Sequence, residues 1–167
     1  HAWDDRPTVT DCTFADNTAT GRGGAIYNAF GRPATISGSL FTGNAAEYGG
    51  GIYSQGVSSI ISNCVFRDNS ASIGGAINNW ADASPNINDC VFETNSATDG
   101  GAVHNLSGSS PTLVNCTFAR NSASNRGGAL YNDKASSASL ANCTFNANSA
   151  TGGGGGLFNI ESSSSTL

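Results

Sequence analysis

The groups in this chain that could do acid–base, metal or nucleophilic chemistry are twelve Asp and Glu side chains, two His and five Cys. General acid–base work needs paired carboxylates, or a carboxylate beside Lys, Arg or His, within reach of one reacting atom. A hard cation needs several oxygen ligands converging on one point. The spacing does not supply either cluster. Asp16 and Asp68 occupy equivalent positions but have Gly43 between them, and Asp11 and Asp89 are separated by Gly38 and Asn63. Arg67 and Glu93 are direct neighbours in this scheme, as a surface ion pair of little energetic weight would be. His104 shares its position with Tyr27, Tyr53, Asn78, Tyr131 and Phe158, so no acid accompanies it. It reads as a strand or surface residue rather than a base. No catalytic residue, metal ligand or cofactor site is expected from these patterns.

The equivalences come from a repeat. Phe14, Phe41, Phe66, Phe92, Phe118 and Phe145 recur at spacings of 27, 25, 26, 26 and 27. Three residues after each stands Asn17, Asn44, Asn69, Asn95, Asn121 or Asn148. A Gly-Gly pair follows, and an aliphatic residue closes it at Ile26, Ile52, Ile77, Val103, Leu130 and Leu157. A fixed period in this range is the signature of stacked supersecondary units that cannot bury their apolar faces alone.

One coil shows what positions these residues. In PTVTDCTFADNTATGRGGAIYN (7–28), Val9 opens a strand whose column continues as Ile36, Ile61, Ile87, Leu113 and Leu140. Cys12 and Phe14 share parity on a half-buried strand, out of phase with Val9, so the chain must bend at Thr10–Asp11. A polar corner ends at Asn17, and the glycines allow positive φ and close backbone approach. Ile26 and Asn28 open the third side. The expected fold is all-β: a right-handed parallel β-helix of about six triangular coils, each with three short strands. Residues 1–6 read as an N-terminal extension or cap, with Trp3 in it. Residues 7–167 read as one domain whose last residue, Leu167, falls in the Val9 column as the first strand of a seventh coil.

Two asparagine ladders are expected along the stack. One is the Asn17 column; the other is Asn28, Ser54, Asn79, Asn105, Asn132 and Asn159. Each amide can bond its counterparts one coil above and below. Cys12, Cys64, Cys90, Cys116 and Cys143 also form a column, with Ser39 in the second coil. Cys12 is two coils from Cys64, roughly 10 Å on a strand spacing of about 4.8 Å, and cannot pair with it. The column reads as small buried hydrophobes, with one or two bridges among the contiguous four as the alternative.

Composition excludes some classes. The net charge of −5 with only seven Lys and Arg leaves no basic groove for nucleic acid. No run of 18 apolar residues is present to span a membrane. His1 opens without the basic start and apolar stretch of a signal peptide, as a mature start or a cut fragment would.

The paired motifs FADN, FTGN, FRDN, FETN, FARN, FNAN and GGAI, GGGI, GGAI, GGAV, GGAL, GGGL resemble the repeats of chlamydial polymorphic outer-membrane proteins. They are also similar to those of bacterial surface proteins with right-handed parallel β-helix repeats. The resemblance covers about residues 7–167 and implies a surface-exposed or secreted domain, frequently adhesive, with no catalytic residue. Ser39 departs from the Cys column. The expected function is therefore a non-enzymatic, extracellular or cell-surface, structural or adhesive β-helix. It would be a head-to-tail filament subunit joined through open coil ends, or a segment of a larger adhesin. The alternative is a carbohydrate-active β-helix enzyme, a polysaccharide lyase or hydrolase.

The loop after the second asparagine column is the surface to watch. Its first position reads Ala29, Gln55, Trp80, Leu106, Asp133 and Ile160, with Phe30 beside the first. Trp80, Phe30 and Leu106 are the candidate partner-binding residues. Either Trp80 lies over the coil edge and covers apolar surface, or it is a stacking platform for a sugar ring or a surface protein.

Overall fold

The computed structural model describes residues 6–29, 31 and 33–166, which wind about six times around one axis with no α-helix among them. Trp3, Phe30 and Leu167, and the readings attached to them, lie outside the described residues. Four parallel sheets run along the solenoid. The first has seven strands, from Thr8–Thr10 to Ser164–Thr166, and the second has six, from Thr13–Ala15 to Thr144–Asn146. The third has five, from Ala45–Tyr48 to Ser149–Ala150, and the fourth six, from Ile26–Ala29 to Leu157–Asn159. Successive coils pair in register, Val9 with Ile36, Phe14 with Phe41 and Ile52 with Ile77. The repeat columns read from the sequence are thus columns in space.

From the second coil on, each coil has four strands, one more than expected. The additional strand (Ala45–Tyr48, Ser70–Ile73, Ser96–Asp99 and their equivalents) lies between the Asn17 column and the glycine pair, where the sequence assigns no strand. Its Ser, Ala and Thr residues carry no apolar alternation, so periodicity gives no signal there. Backbone pairing makes the strand nonetheless: Ser70 N–H donates to the Asn44 carbonyl and Ser96 N–H to that of Asn69, both at 2.9 Å. In the first coil it is reduced to two bridges, Thr18 to Ala45 and Arg22 to Tyr48.

The bends are built from left-handed residues. The bend expected at Thr10–Asp11 sits at Asp11 (φ 51°), and a second one before the Asn17 column sits at Asp16 (φ 55°). Asp and Asn tolerate this region because their short polar side chains bond locally. The glycine pair divides its labour. Gly100 adopts φ 65°, and a Cβ on Gly101 would run into the backbone carbonyls of Gly128 and Ser122 in the next coil.

The core lies between the sheets. Phe41, Phe66, Phe92 and Phe118 are fully buried, while the end members Phe14 and Phe145 are half-buried. Their rings stack at centroid spacings of 4.7 to 4.9 Å, set by the coil repeat, with planes within 8° of parallel. Beside them runs the first asparagine ladder. Asn95 Oδ1 accepts from the Asn69 backbone N–H and Nδ2, each at 3.0 Å; Asn95 Nδ2 donates to the Phe66 carbonyl at 3.0 Å and to Asn121 Oδ1 at 2.9 Å. Every donor and acceptor of the amide is used without water, which removes the penalty of burying it.

The second ladder is shorter than expected. Asn79, Asn105, Asn132 and Asn159 bond in series at 2.8 Å. Below Asn79 the series stops at Ser54, whose side chain is too short to bridge. Asn28 turns instead to Ser59 Oγ at 2.6 Å. Ser54 Oγ and Asn79 Oδ1 are left buried without a hydrogen-bond partner among the described residues.

All five cysteines are free thiols. Cys64, Cys90 and Cys116 are buried, as expected, but Cys12 is exposed and Cys143 half-buried. Each sulfur donates to the carbonyl two residues earlier, as Cys90 Sγ does to Asn88 at 3.1 Å. Contacts with Cys116 and Cys64, then burial, push the Cys90 thiol well above its ordinary range. Ser39 fits the column by accepting the Cys12 N–H at 3.1 Å and donating to the Ser37 carbonyl at 2.9 Å.

Candidate ligand cleft on the outer face of the fourth sheet

In the fourth sheet Ile52 and Ser54 point to the core, so Tyr53 and Gln55 point outward. The outward column is Tyr27, Tyr53, Asn78, His104, Tyr131 and Phe158, paired coil to coil. An outward face should be exposed, yet Tyr53, Asn78, His104 and Tyr131 are only 1 to 5% exposed. The glycine corner folds the third sheet against the fourth and makes this face concave. One wall is the end of the third sheet, with Arg22 and Tyr48. The other is the end of the fourth, where Trp80 pairs with Leu106.

Arg22, Tyr48, Tyr53, Asn78, Trp80 and Leu106 line one cleft of about 240 Å³. The Arg22 guanidinium carbon lies 5.2 Å from the Tyr53 ring centre and 5.4 Å from that of Trp80, within cation–π range of both. Tyr48 meets Tyr53 edge-on at 6.4 Å, and Tyr27 tilts over Tyr53 at 5.4 Å. Gln55 Oε1 accepts from the Tyr27 hydroxyl at 3.1 Å and from Arg22 Nη1 at 3.5 Å. The hydrogen bond with Tyr27 and then the charge interaction with the Tyr53 hydroxyl raise the Arg22 pKa further, and burial raises that of the Tyr53 hydroxyl. The guanidinium is charged and the phenol neutral at neutral pH.

Farther along the groove, His104 is sealed. Burial, then the charge of Lys134, push its pKa down to about 3. The ring is therefore neutral, Nδ1 takes a hydrogen bond from Asn78 Nδ2 at 3.1 Å, and its edge packs on Tyr131 at 4.8 Å. Arg126 lies over Phe158 at 5.4 Å, and its backbone N–H donates to Asp99 Oδ1 at 3.1 Å. The Arg67–Glu93 pair is present at 3.0 Å, and Arg120 joins Glu93 from the opposite coil. Asp68 takes a hydrogen bond from Thr94, and Asp89 one from Asn115.

Of the residues singled out in the sequence, the structure brings Trp80 and Leu106 together. The ladder residues stay in the core, away from the cleft. Sequence reasoning missed Arg22, Tyr48, Tyr53 and Asn78. A signal was present: four of the six positions in the His104 column are aromatic, an unusual load for an outward-facing column.

A family model described as a right handed beta helix region matches residues 2–167. The chain belongs to the right-handed β-helix family. The handedness and the parallel stack expected from the repeat are thereby established. Comparisons with curated proteins and with solved structures returned no match.

Proposed function

We propose that this β-helix is a non-enzymatic, adhesive scaffold acting outside the cell or at its surface, and that it binds its ligand in the Trp80 cleft. The observation that carries the reading is the cleft itself. A half-buried Trp and Leu from adjacent coils face a Tyr-rich wall and a cation across a concave surface, the usual build of a binding site. A sugar ring or a surface protein is the ligand such a platform would stack. The state of the one histidine in the groove supports a non-catalytic role. A base with a pKa of about 3, sealed from solvent, is poorly matched to proton transfer near neutral pH. Replacing Trp80 with Ala should abolish glycan or cell-surface binding while leaving the unfolding midpoint nearly unchanged. Unaltered binding would remove the cleft from the proposal, and turnover of a polysaccharide by the wild-type chain would favour the lyase or hydrolase reading instead.

A head-to-tail contact between copies is the second reading, and the direction of the first ladder favours it. Each Nδ2–H in the series from Asn17 to Asn121 points to the Oδ1 of the following coil. A second copy could extend the ladder only by setting its Asn17 on Asn148, with Ser164–Thr166 giving up its place on the first sheet to the copy's Thr8–Thr10. Such a contact is heterologous and grows into rods unless it closes.

A further inference from the structure

The cleft already shows what kind of group it holds. Arg22 is exposed, but its guanidinium sits over Tyr53 and Trp80, with Tyr48 and Tyr27 on the sides. No carboxylate among the described residues pairs with it. The aromatic faces are what attract it, since the negative face of an aromatic ring draws a cation. Tyr53 is 2% exposed although it faces outward, so its ring is reached only by whatever occupies the place over it.

The Arg22 side chain is held loosely although its backbone is not. Tyr48 N–H donates to the Gly21 carbonyl and Gly23 N–H to the Tyr48 carbonyl, both at 2.9 Å, which fixes the main chain on either side of Arg22. Its hydrogen bond to Gln55 is 3.5 Å long, and the Tyr27 hydroxyl is the other polar side-chain group acting on it. The guanidinium can therefore be displaced without breaking a sheet. The surrounding charge points the same way: the net charge of −5 raises the local concentration of cations over anions.

We infer that the Tyr48, Tyr53 and Trp80 cleft is a cage for an organic cation, an ammonium or guanidinium group borne by the ligand, and that Arg22 is its built-in competitor. The inference rests on the reading of the cleft as the ligand site and adds the chemical class. The cation could come from a small quaternary ammonium compound or from a basic side chain of a partner protein. Either would enter as Arg22 swings out and would stack where the guanidinium now lies.

The test is a titration of the 167-residue chain and its Arg22→Ala variant, followed through the Trp80 indole N–H resonance. That resonance is assigned by its loss in Trp80→Leu. The probes are choline, N-acetyl-arginine amide, and 3,3-dimethyl-1-butanol as the neutral isostere of choline. Removing the competitor should tighten cation binding about tenfold, the worth of two exposed cation–π contacts. Trp80→Leu, which keeps the apolar surface but lacks the reporter resonance, should lose binding when titrated by calorimetry, and the neutral isostere should bind far more weakly. Choline and the arginine amide separate the two sources by which is preferred. Equal binding of choline and its isostere would overturn the cation class while leaving the cleft as a ligand site. No saturable shift with either cation in Arg22→Ala would overturn the inference outright, leaving the cleft itself to be judged by the Trp80→Ala binding experiment. Arg22 is exposed, so the variant should keep the wild-type unfolding midpoint, which checks that the fold is intact.

Discussion

Two columns of asparagine run along this β-helix, one complete and one interrupted. In the first, six consecutive coils supply Asn, and each internal amide makes its full set of hydrogen bonds. In the second, Ser54 breaks the series, Asn28 bonds elsewhere, and two buried polar atoms go without partners. The difference follows what each column flanks. The first lies beside the phenylalanine stack and has only structural work. The second shares its strands with the outward-facing aromatics, and its defect falls in the coil that carries Tyr53. Departures from internal consistency concentrate where a surface is put to use. The regular column therefore lies in the scaffold, and the irregular one beside the cleft proposed as the binding surface.

The sharpest way to break this comparison is to cut the complete ladder. Replacing Asn95 with Ala would orphan the Asn69 N–H and one Nδ2 hydrogen of Asn69, and would take the amide donor from the Phe66 carbonyl and from Asn121 Oδ1, which keeps only the backbone N–H of residue 95. At roughly 1–3 kcal/mol per buried orphan, a loss of about 4 kcal/mol or more is expected. Urea unfolding should show it, and the same change at Asn79, whose Oδ1 has no partner, should be markedly milder. Equal losses would mean that the two columns do the same work.

The next effect tests how tightly the groove is sealed. The folded-state pKa of His104, about 3, lies below its unfolded value of about 6.5. The unfolded chain therefore takes up a proton that the folded chain refuses. Stability is full above about pH 6.5 and falls as pH drops toward 3. Between pH 7 and pH 5 the loss should be about 2 kcal/mol. Urea titrations at the two pH values should show this for the wild type, and His104→Asn should flatten most of it. A wild type as stable at pH 5 as at pH 7 would mean that the groove admits water to the imidazole.

The smallest effect repairs the broken column. An Asn at position 54 would stand between Asn28 and Asn79 in register, offering Nδ2 to the orphaned Asn79 Oδ1. Ser54→Asn should stabilise the chain by about 1 kcal/mol. If the interruption serves the cleft, ligand binding should weaken in the same variant. Unchanged binding would reduce the comparison to one of stability alone.

How much of this was legible in advance depended on the range of each interaction. The Phe stack, the first ladder and the thiol column follow from counting, because a constant coil length places residue i directly below residue i + 26 or so. The third-sheet strand was invisible, since small polar residues show no alternation and only backbone pairing reveals them. Ser59 as the partner of Asn28 could not be read either, because that bond leaves the column. Nor could the addition of Arg120 to the Arg67–Glu93 pair, which depends on how far a side chain extends.

The sequence by itself determined the architecture: the period, the columns and the identity of what stacks on what, since in-register parallel pairing turns periodicity into contact. Only the tertiary structure decided the cleft. Arg22 belongs to the first coil and Trp80 to the third, and they meet because the glycine corner folds two sheets into a concave wall that a long side chain can cross. The angle of that corner and the reach of that side chain are set by packing in three dimensions, and neither is written in the spacing of residues along the chain.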